Sequence, residues 1–454
     1  MSCRSATRSV SVVAVVVALA VALAACASDG DGAASSSPSA PDRAYAAGHV
    51  SEVLVDGSRP TPGAEGRPPA PDRTIETSIY YPAAGPAGGG AEEGAPAADD
   101  GAPFPLVVLG HGLGGNEEYL TPLALEWVSA GYVVALPHFP LTYEGTPGGV
   151  DGADVQNQPG DVSFVIDEVL AASDAAEGPL SELLDGTRIG VAGHSNGGIT
   201  ALGVVANSCC RDERIATALV LSGTASPYAD GEYDLSRMPP TMFVHGVDDQ
   251  AVSYNQVVET FDEVAPPKAL LTLERSAHGD WLAADDEAFA VAARATTDFL
   301  DGYLRDDPAA VERLAGDQEP PIATMHFAPD DAADVTVETS PTPETDRRAS
   351  VSADEGLRDG QVVTVTWSGF LPGKTVNVLQ CTGDGRGGTA SCGISEGHVL
   401  VPDPDGSGSV DLTIHTGAFA NGVCDAQNPC TILVNDSGLL DEDAFVYFPV
   451  TFAG

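Results

Sequence analysis

From about Tyr45 to Phe327 the chain alternates two apolar rhythms. Short runs are apolar at nearly every position: "PLVVLG" (105–110), "YVVALP" (132–137), "RIGVAG" (188–193), "TALVLSG" (217–223), "TMFVHG" (241–246) and "ALLTLER" (269–275). They read as strands, several of them buried on both faces, and "TIETSIYYP" (74–82) is a further extended run. Between them lie longer helical patterns, "EEYLTPLALEWVSAG", "DVSFVIDEVLAAS", "NGGITALGVVAN" and "DDEAFAVAARATTDFLDGYL". Strand and helix in alternation predict an α/β domain, a mostly parallel sheet covered by helices on both faces. The Gly/Ala/Pro stretch 84–102 breaks the pattern and reads as a disordered surface insertion.

From about Ala328 the rhythm changes. "PDDAADVTVETSPTPETDRRAS" (329–350) is acidic, rich in Thr and Pro, and reads as a linker. Short alternating runs follow, "GQVVTVTWSGF", "KTVNVLQC", "GHVLVPDPDGSGSVDLTIHTG" and "CTILVND", separated by Gly, Asp and Pro. No helical pattern survives there, so a small all-β sandwich is expected over 346–454. At the other end, Arg4 and Arg8 precede an apolar run, Val10 to Ala22, that is short for a bilayer span. "ASDGDGAASSSPSAPD" then reads as a flexible tether. The expected order is a signal peptide (1–25), a tether (26–45), an α/β domain (46–325), a linker (326–345) and a β-sandwich (346–454).

Charge and cysteine content narrow the function. The 454 residues carry a formal charge of −46 and only two lysines, Lys268 and Lys374, which argues against nucleic-acid partners and anionic membrane surfaces. Six cysteines (209, 210, 381, 392, 424 and 430) lie beyond the tether, an even number that suggests disulfides in an exported chain. Neither a CxxC pair nor HExxH occurs, so no metal site or cofactor is expected. Cys209 and Cys210 are adjacent; a vicinal disulfide and two free thiols are both open to them.

The candidate chemistry sits at Gly193-His194-Ser195-Asn196-Gly197. In G-x-S-x-G the glycines let a strand turn sharply into a helix, leaving the serine exposed at the strand's end. Here a strand precedes the motif and a helix follows, so Ser195 is the candidate nucleophile. A serine hydroxyl needs a base, and the base needs an orienting acid; in this context the order is serine, acid, histidine. Five histidines follow Ser195. His245 ends a strand where the acid belongs, His326 lies at the domain edge, and His398 and His415 lie in the sandwich. His278, in "SAHGDW" after the last strand, is left as the base. Two backbone amides are needed for the oxyanion: Asn196, after the serine, and Leu113, in the glycine-rich loop of "VVLGHGLGGNEEY". Phe139, Tyr143 and Trp281 are candidates for a pocket lining or for plain packing.

"HGLGG…GYVVALPHFP", "GDVSFVIDEVL", "GHSNGG", "HGVDDQAV" and "AHGD" together resemble the α/β-hydrolase superfamily, within it the dienelactone-hydrolase and platelet-activating-factor acetylhydrolase-like group. The resemblance covers roughly 46–305 and implies a hydrolase of esterase or lipase type with an ester substrate. Serine at 195, where dienelactone hydrolases carry cysteine, favours ester hydrolysis. The H-G-x-x-D-x-x-V run of such hydrolases falls on His245 to Val252 and implies Asp249 as the acid, with Asp248 as competitor. Residues 346–454 resemble the neocarzinostatin-type immunoglobulin-like sandwich, which implies Cys381–Cys392 and Cys424–Cys430 bridges. That family binds a chromophore, but "TGDGRGGTAS" offers no aromatic to stack on one. "LAAC" (23–26) resembles a bacterial lipobox and implies lipidation of Cys26 and anchoring to the outer face of the bacterial membrane. Two other readings stand beside the esterase: a binding protein that captures a small hydrophobic ligand or the envelope through the sandwich, and a peptidase on the same fold.

Overall fold

The computed structural model describes residues 45–63, 67–228, 230–333, 335–339, 346–371, 375–385, 391–393, 397–400, 405–419, 422–436 and 445–453. The proposed signal peptide, the tether as far as residue 44, and Cys26 lie outside the described residues.

Ten strands form one sheet: β1 (Ala46–Asp56), β2 (Arg73–Ala83), β3 (Glu92–Glu93), β4 (Phe104–Gly110), β5 (Val133–His138), β6 (Leu184–His194), β7 (Ile215–Leu221), β8 (Thr241–Gly246), β9 (Lys268–Leu273) and β10 (Ala323–Ala328). Their order is β10-β9-β8-β7-β6-β4-β5-β2-β1-β3. The run from β5 to β9 is parallel, while β2 and β10 join it antiparallel. Six helices accompany the sheet: α1 (Thr121–Ser129), α2 (Gln158–Asp174), α3 (Asn196–Ala206), α4 (Tyr254–Glu263), α5 (Phe289–Leu304) and α6 (Pro308–Leu314).

Strict alternation along the apolar strands divides them between two cores. Leu106, Val108, Val133 and Ala135 pack with Val165 of α2, Leu202 of α3 and Phe261 of α4 on one face. Val107, Leu109, Val134 and Leu136 pack with Trp127 of α1 and Phe299 of α5 on the other. This is the mostly parallel α/β sheet, packed with helices on both faces, that the alternation of apolar runs predicts. β10 runs to Ala328, slightly beyond the expected end of the domain, and carries His326 at the sheet's edge.

Stretch 84–102 departs from expectation. Instead of lacking structure, it returns to the sheet: β3 pairs with Gly48 and His49, Ala98 N–H donates to the Pro82 carbonyl (2.9 Å), and Tyr81 Oη–H donates to the Ala95 carbonyl (2.7 Å). Its composition offers few apolar side chains, but its backbone groups find partners on an open strand edge.

A buried cation ties the β1–β2 hairpin to α2. Arg73 is wholly buried and forks onto two carboxylates, Asp154 at 3.0 and 2.8 Å and Asp161 at 2.8 and 2.5 Å. Arg59 approaches Asp161 from the other side at 2.8 Å.

In the C-terminal segment, β11 (Arg348–Val351), β12 (Val362–Ser368), β13 (Val376–Thr382), β14 (His398–Leu400), β15 (Gly408–Thr413), β16 (Gly417–Phe419), β17 (Gly422–Cys424), β18 (Cys430–Asn435) and β19 (Phe445–Val450) form a three-stranded sheet (β11-β12-β15), a four-stranded sheet (β14-β13-β18-β19) and a ribbon (β16-β17). Val365, Trp367, Ile432 and Val434 belong to the shared core. Cys381 is bonded to Cys392, Cys424 to Cys430, and Cys209 to its neighbour Cys210. Among the described residues, no helix is long and apolar enough to cross a membrane.

Removing Arg73 leaves buried Asp154 without its cation and Asp161 with Arg59 alone. Arg73→Met should therefore lower the unfolding free energy by about 3–5 kcal/mol in urea titrations, and adding Asp154→Asn and Asp161→Asn should recover part of it. An unchanged midpoint in the single variant would remove the cluster as a structural tie.

Candidate active site

β6 ends at His194 and α3 begins at Asn196, so Ser195 alone makes the turn from strand to helix. Its backbone sits at φ 56°, ψ −116°, a conformation that costs a non-glycine residue on the order of 1–3 kcal/mol. Its N–H donates to the Leu221 carbonyl (2.9 Å), and its carbonyl accepts from the Gly198 (2.9 Å) and Ile199 (3.1 Å) amides. The turn closes only because neighbouring backbones touch. A Cβ on Gly193 would lie 2.0 Å from the Gly197 carbonyl oxygen, and one on Gly197 would lie 2.2 Å from the Gly110 oxygen.

His278, in the loop after β9, lies with Nε2 2.7 Å from Ser195 Oγ and Nδ1 2.8 Å from Asp249 Oδ2. Asp249 is in the turn between β8 and α4, and its other oxygen accepts the Ala251 (2.8 Å) and Val252 (2.9 Å) amides. Burial would push this carboxyl up. The His278 hydrogen bond, the His278 and His245 rings and the Val252 amide outweigh burial and hold it below its ordinary value. Asp248 is exposed; the carboxylate at His278 belongs to Asp249. The His278 side chain is 27% exposed, so a solute can reach it.

The loop after β4 closes over the serine: a Cβ on Gly112 would lie 3.1 Å from Ser195 Cβ. Leu113 follows it. Among the described residues, neither the Leu113 nor the Asn196 amide donates to an acceptor of the protein. His111 secures the loop's root: Nδ1 bonds to the Gly112 carbonyl (2.7 Å) and Nε2 accepts Phe139 N–H (3.1 Å). Burial pushes this imidazole down to about 4, so it stays neutral.

Three further residues surround the proposed triad, none of them found from the sequence. Tyr119 Oη accepts Gly112 N–H (2.7 Å) and bonds to His194 Nδ1 (3.2 Å); His194 Nε2 in turn donates to the His278 carbonyl (2.8 Å). One chain of contacts thus joins the glycine loop, the elbow and the His278 loop. Burial, with His278 beside it, pushes His194 down to about 3, which suits a neutral ring with its proton on Nε2. Buried His245 shares its Nε2 between the Val252 carbonyl (3.0 Å) and Asp249 Oδ2 (3.3 Å). Both histidines were visible in the motifs "GHSNGG" and "HGVDDQAV"; their partners were not. Of the candidate pocket aromatics, Phe139 and Trp281 are fully buried core residues, and half-buried Tyr143 stacks on His138.

Because folded His194 stays neutral, the unfolded chain binds a proton that the folded chain refuses between roughly pH 6.5 and about pH 3. Stability therefore falls as pH falls through that window. Denaturation midpoints should drop between pH 7 and pH 5, and His194→Gln should shrink the drop. An equal drop in the variant would exclude His194 as its source.

Residues 349–448, the segment holding both sandwich disulfides, match the model of the Neocarzinostatin family. No curated protein sequence matches the chain. Among solved structures, a ferulic acid esterase from Streptomyces cinnamoneus aligns at 22% identity with a TM-score of 0.45, over 60% of this chain and 94% of that chain. The C-terminal segment is thus similar to the neocarzinostatin family.

Proposed function

We propose that this chain is an exported serine hydrolase that cleaves carboxylic esters. The observation carrying this reading is the continuous contact chain Ser195 Oγ–His278 Nε2–Asp249, with distances of 2.7 and 2.8 Å. It ends beside two amides that have no acceptor among the described residues. The sequence motifs favour the dienelactone-hydrolase and platelet-activating-factor acetylhydrolase-like group.

In this reading Ser195 Oγ attacks the ester carbonyl carbon as its proton passes to His278 Nε2. Buried, ionised Asp249 holds Nδ1–H and stabilises the imidazolium. The carbonyl oxygen becomes an oxyanion and accepts the Leu113 and Asn196 N–H groups, each donor lowering the barrier by about 3 kcal/mol. Collapse breaks the bond to the alcohol oxygen, which takes the His278 proton and leaves an acyl-serine. Water then attacks the acyl carbon, giving its proton to His278; the carboxylic acid departs as Ser195 regains its proton. Each step is a proton transfer or an acyl transfer, and none requires a cofactor.

Export is supported by the disulfides, which persist in oxidising compartments. The lipobox-like "LAAC" motif supports lipidation at Cys26 and a cell-surface anchor.

A fluorophosphonate probe on the soluble chain lacking residues 1–26 should label one peptide, at Ser195. Ser195→Ala and His278→Ala should abolish labelling, and Asp249→Asn should lower kcat on p-nitrophenyl esters by roughly 10⁴-fold. A folded protein that is not labelled would sink the enzymatic reading. For the anchor, Cys26→Ser should release the chain from the membrane fraction; unchanged fractionation would refute lipidation.

A further inference from the structure

The two proposed oxyanion donors come from different elements. Leu113 follows β4 and Asn196 follows β6, and the ladder between these strands ends at the Gly110–Gly193 pair. Beyond that pair, the spacing of the two amides depends on contacts outside the sheet. A buried polar relay spans that gap.

Gln158, the first residue of α2, is fully buried, as are Thr142 and Thr200. Its Nε2 donates to Thr142 Oγ1 at 2.7 Å, and its Oε1 accepts from Thr200 Oγ1. Each end of the relay reaches one half of the oxyanion pair. The Thr142 carbonyl accepts Gly114 N–H at 2.7 Å, the amide next to Leu113, and Glu144 N–H fastens the same loop through the Gly115 carbonyl at 2.8 Å. Thr200 lies one turn along α3 from Asn196, with its hydroxyl 3.1 Å from the Asn196 carbonyl. Burying a primary amide is costly unless its polar atoms are met, and packing alone would be served by Leu or Met. A glutamine also has the reach to touch both threonines while donating at one end and accepting at the other.

We propose that Gln158 is a positioning residue that sets the separation of the Leu113 and Asn196 amides, by tying the loop carrying one to the helix carrying the other through Thr142 and Thr200. This rests on Ser195 being the nucleophile. Gln158 touches no reacting atom, so its effect is confined to the geometry presented to the oxyanion. That geometry matters more to the tetrahedral transition state than to the bound ester.

The test compares Gln158→Met and Thr200→Val, which cut the relay at different points, with Thr200→Ser, which keeps the hydroxyl. Full-length protein is titrated with a fluorophosphonate to count working sites, then assayed for kcat and KM on p-nitrophenyl butyrate and for inhibition by a trifluoromethyl ketone. In both cut variants kcat per titrated site should fall roughly 10- to 100-fold, with KM within about twofold. Ketone affinity should weaken by a similar factor, because its adduct mimics the oxyanion. Thr200→Ser should retain activity, the pH midpoint of kcat/KM should not move, and the double variant should lose no more than either single one. Unchanged kcat and ketone affinity per titrated site, even with a lower melting temperature, would reduce the relay to a fold element and overturn the proposal. A shifted pH midpoint would overturn it too, by placing the effect on His278. Wild type that is not labelled at Ser195 would instead defeat the functional reading beneath it.

Discussion

Where β6 turns into α3, three backbone segments approach closer than any side chain allows. Gly193 meets the Gly197 carbonyl, and Gly197 meets the carbonyl of Gly110 on the neighbouring strand. This contact brings β4, β6 and α3 to one point and forces Ser195 into its left-handed turn. The strain is held because both sides of the turn are fixed, by the parallel β4–β6 and β6–β7 ladders and by an entirely buried helix. Everything proposed about catalysis depends on that hold. It aims a hydroxyl at the His278 loop and leaves the first amide of α3 without an intrahelical acceptor.

Around this point the protein spends buried polarity in an ordered way. His111, His194 and His245 are all buried and all pushed below the ordinary imidazole range, chiefly by burial. Each makes a backbone contact on a loop that bears a candidate catalytic group: the Gly112 carbonyl, the His278 carbonyl and the Val252 carbonyl. Rings of one chemical type thus serve as braces, while the partly exposed His278 lies between Ser195 and Asp249. Charge is handled differently further away. At the hairpin, Arg73 bridges Asp154 and Asp161 with bidentate contacts, which fixes orientation as well as distance.

The C-terminal segment is organised on other terms. Its two sheets share a modest apolar core, and two short-range disulfides join strands or loops that the core alone would hold weakly. Its likeness to the neocarzinostatin family concerns that scaffold. The chemistry proposed here belongs to the larger domain.

Much of this was legible in the sequence because it is local. Continuous apolar runs gave β4 to β9, since a strand buried on both faces has no polar side to alternate with. The G-x-S-x-G spacing located the elbow, because only glycine permits that approach. α4, α6, β1 and β10 have no counterpart among the apolar runs of the sequence, and stretch 84–102 is ordered by backbone pairing that leaves no mark in composition. Other choices lay wholly in three dimensions. The H-G-x-x-D-x-x-V run favoured Asp249 and left Asp248 as competitor; the turn after β8 buries Asp249 beside His278 and leaves Asp248 in solvent. Tyr119, His194, Gln158 and Thr200 gain partners from segments 7 to 84 positions distant. The sequence by itself determined β2, β4 to β9, the helix that follows the serine and the residue types of the proposed triad, because periodicity and turn sterics act between near neighbours. Which side chains brace the loops around Ser195, and what each of them touches, was decided only by tertiary packing, because burial and hydrogen-bond reach depend on what the fold brings together.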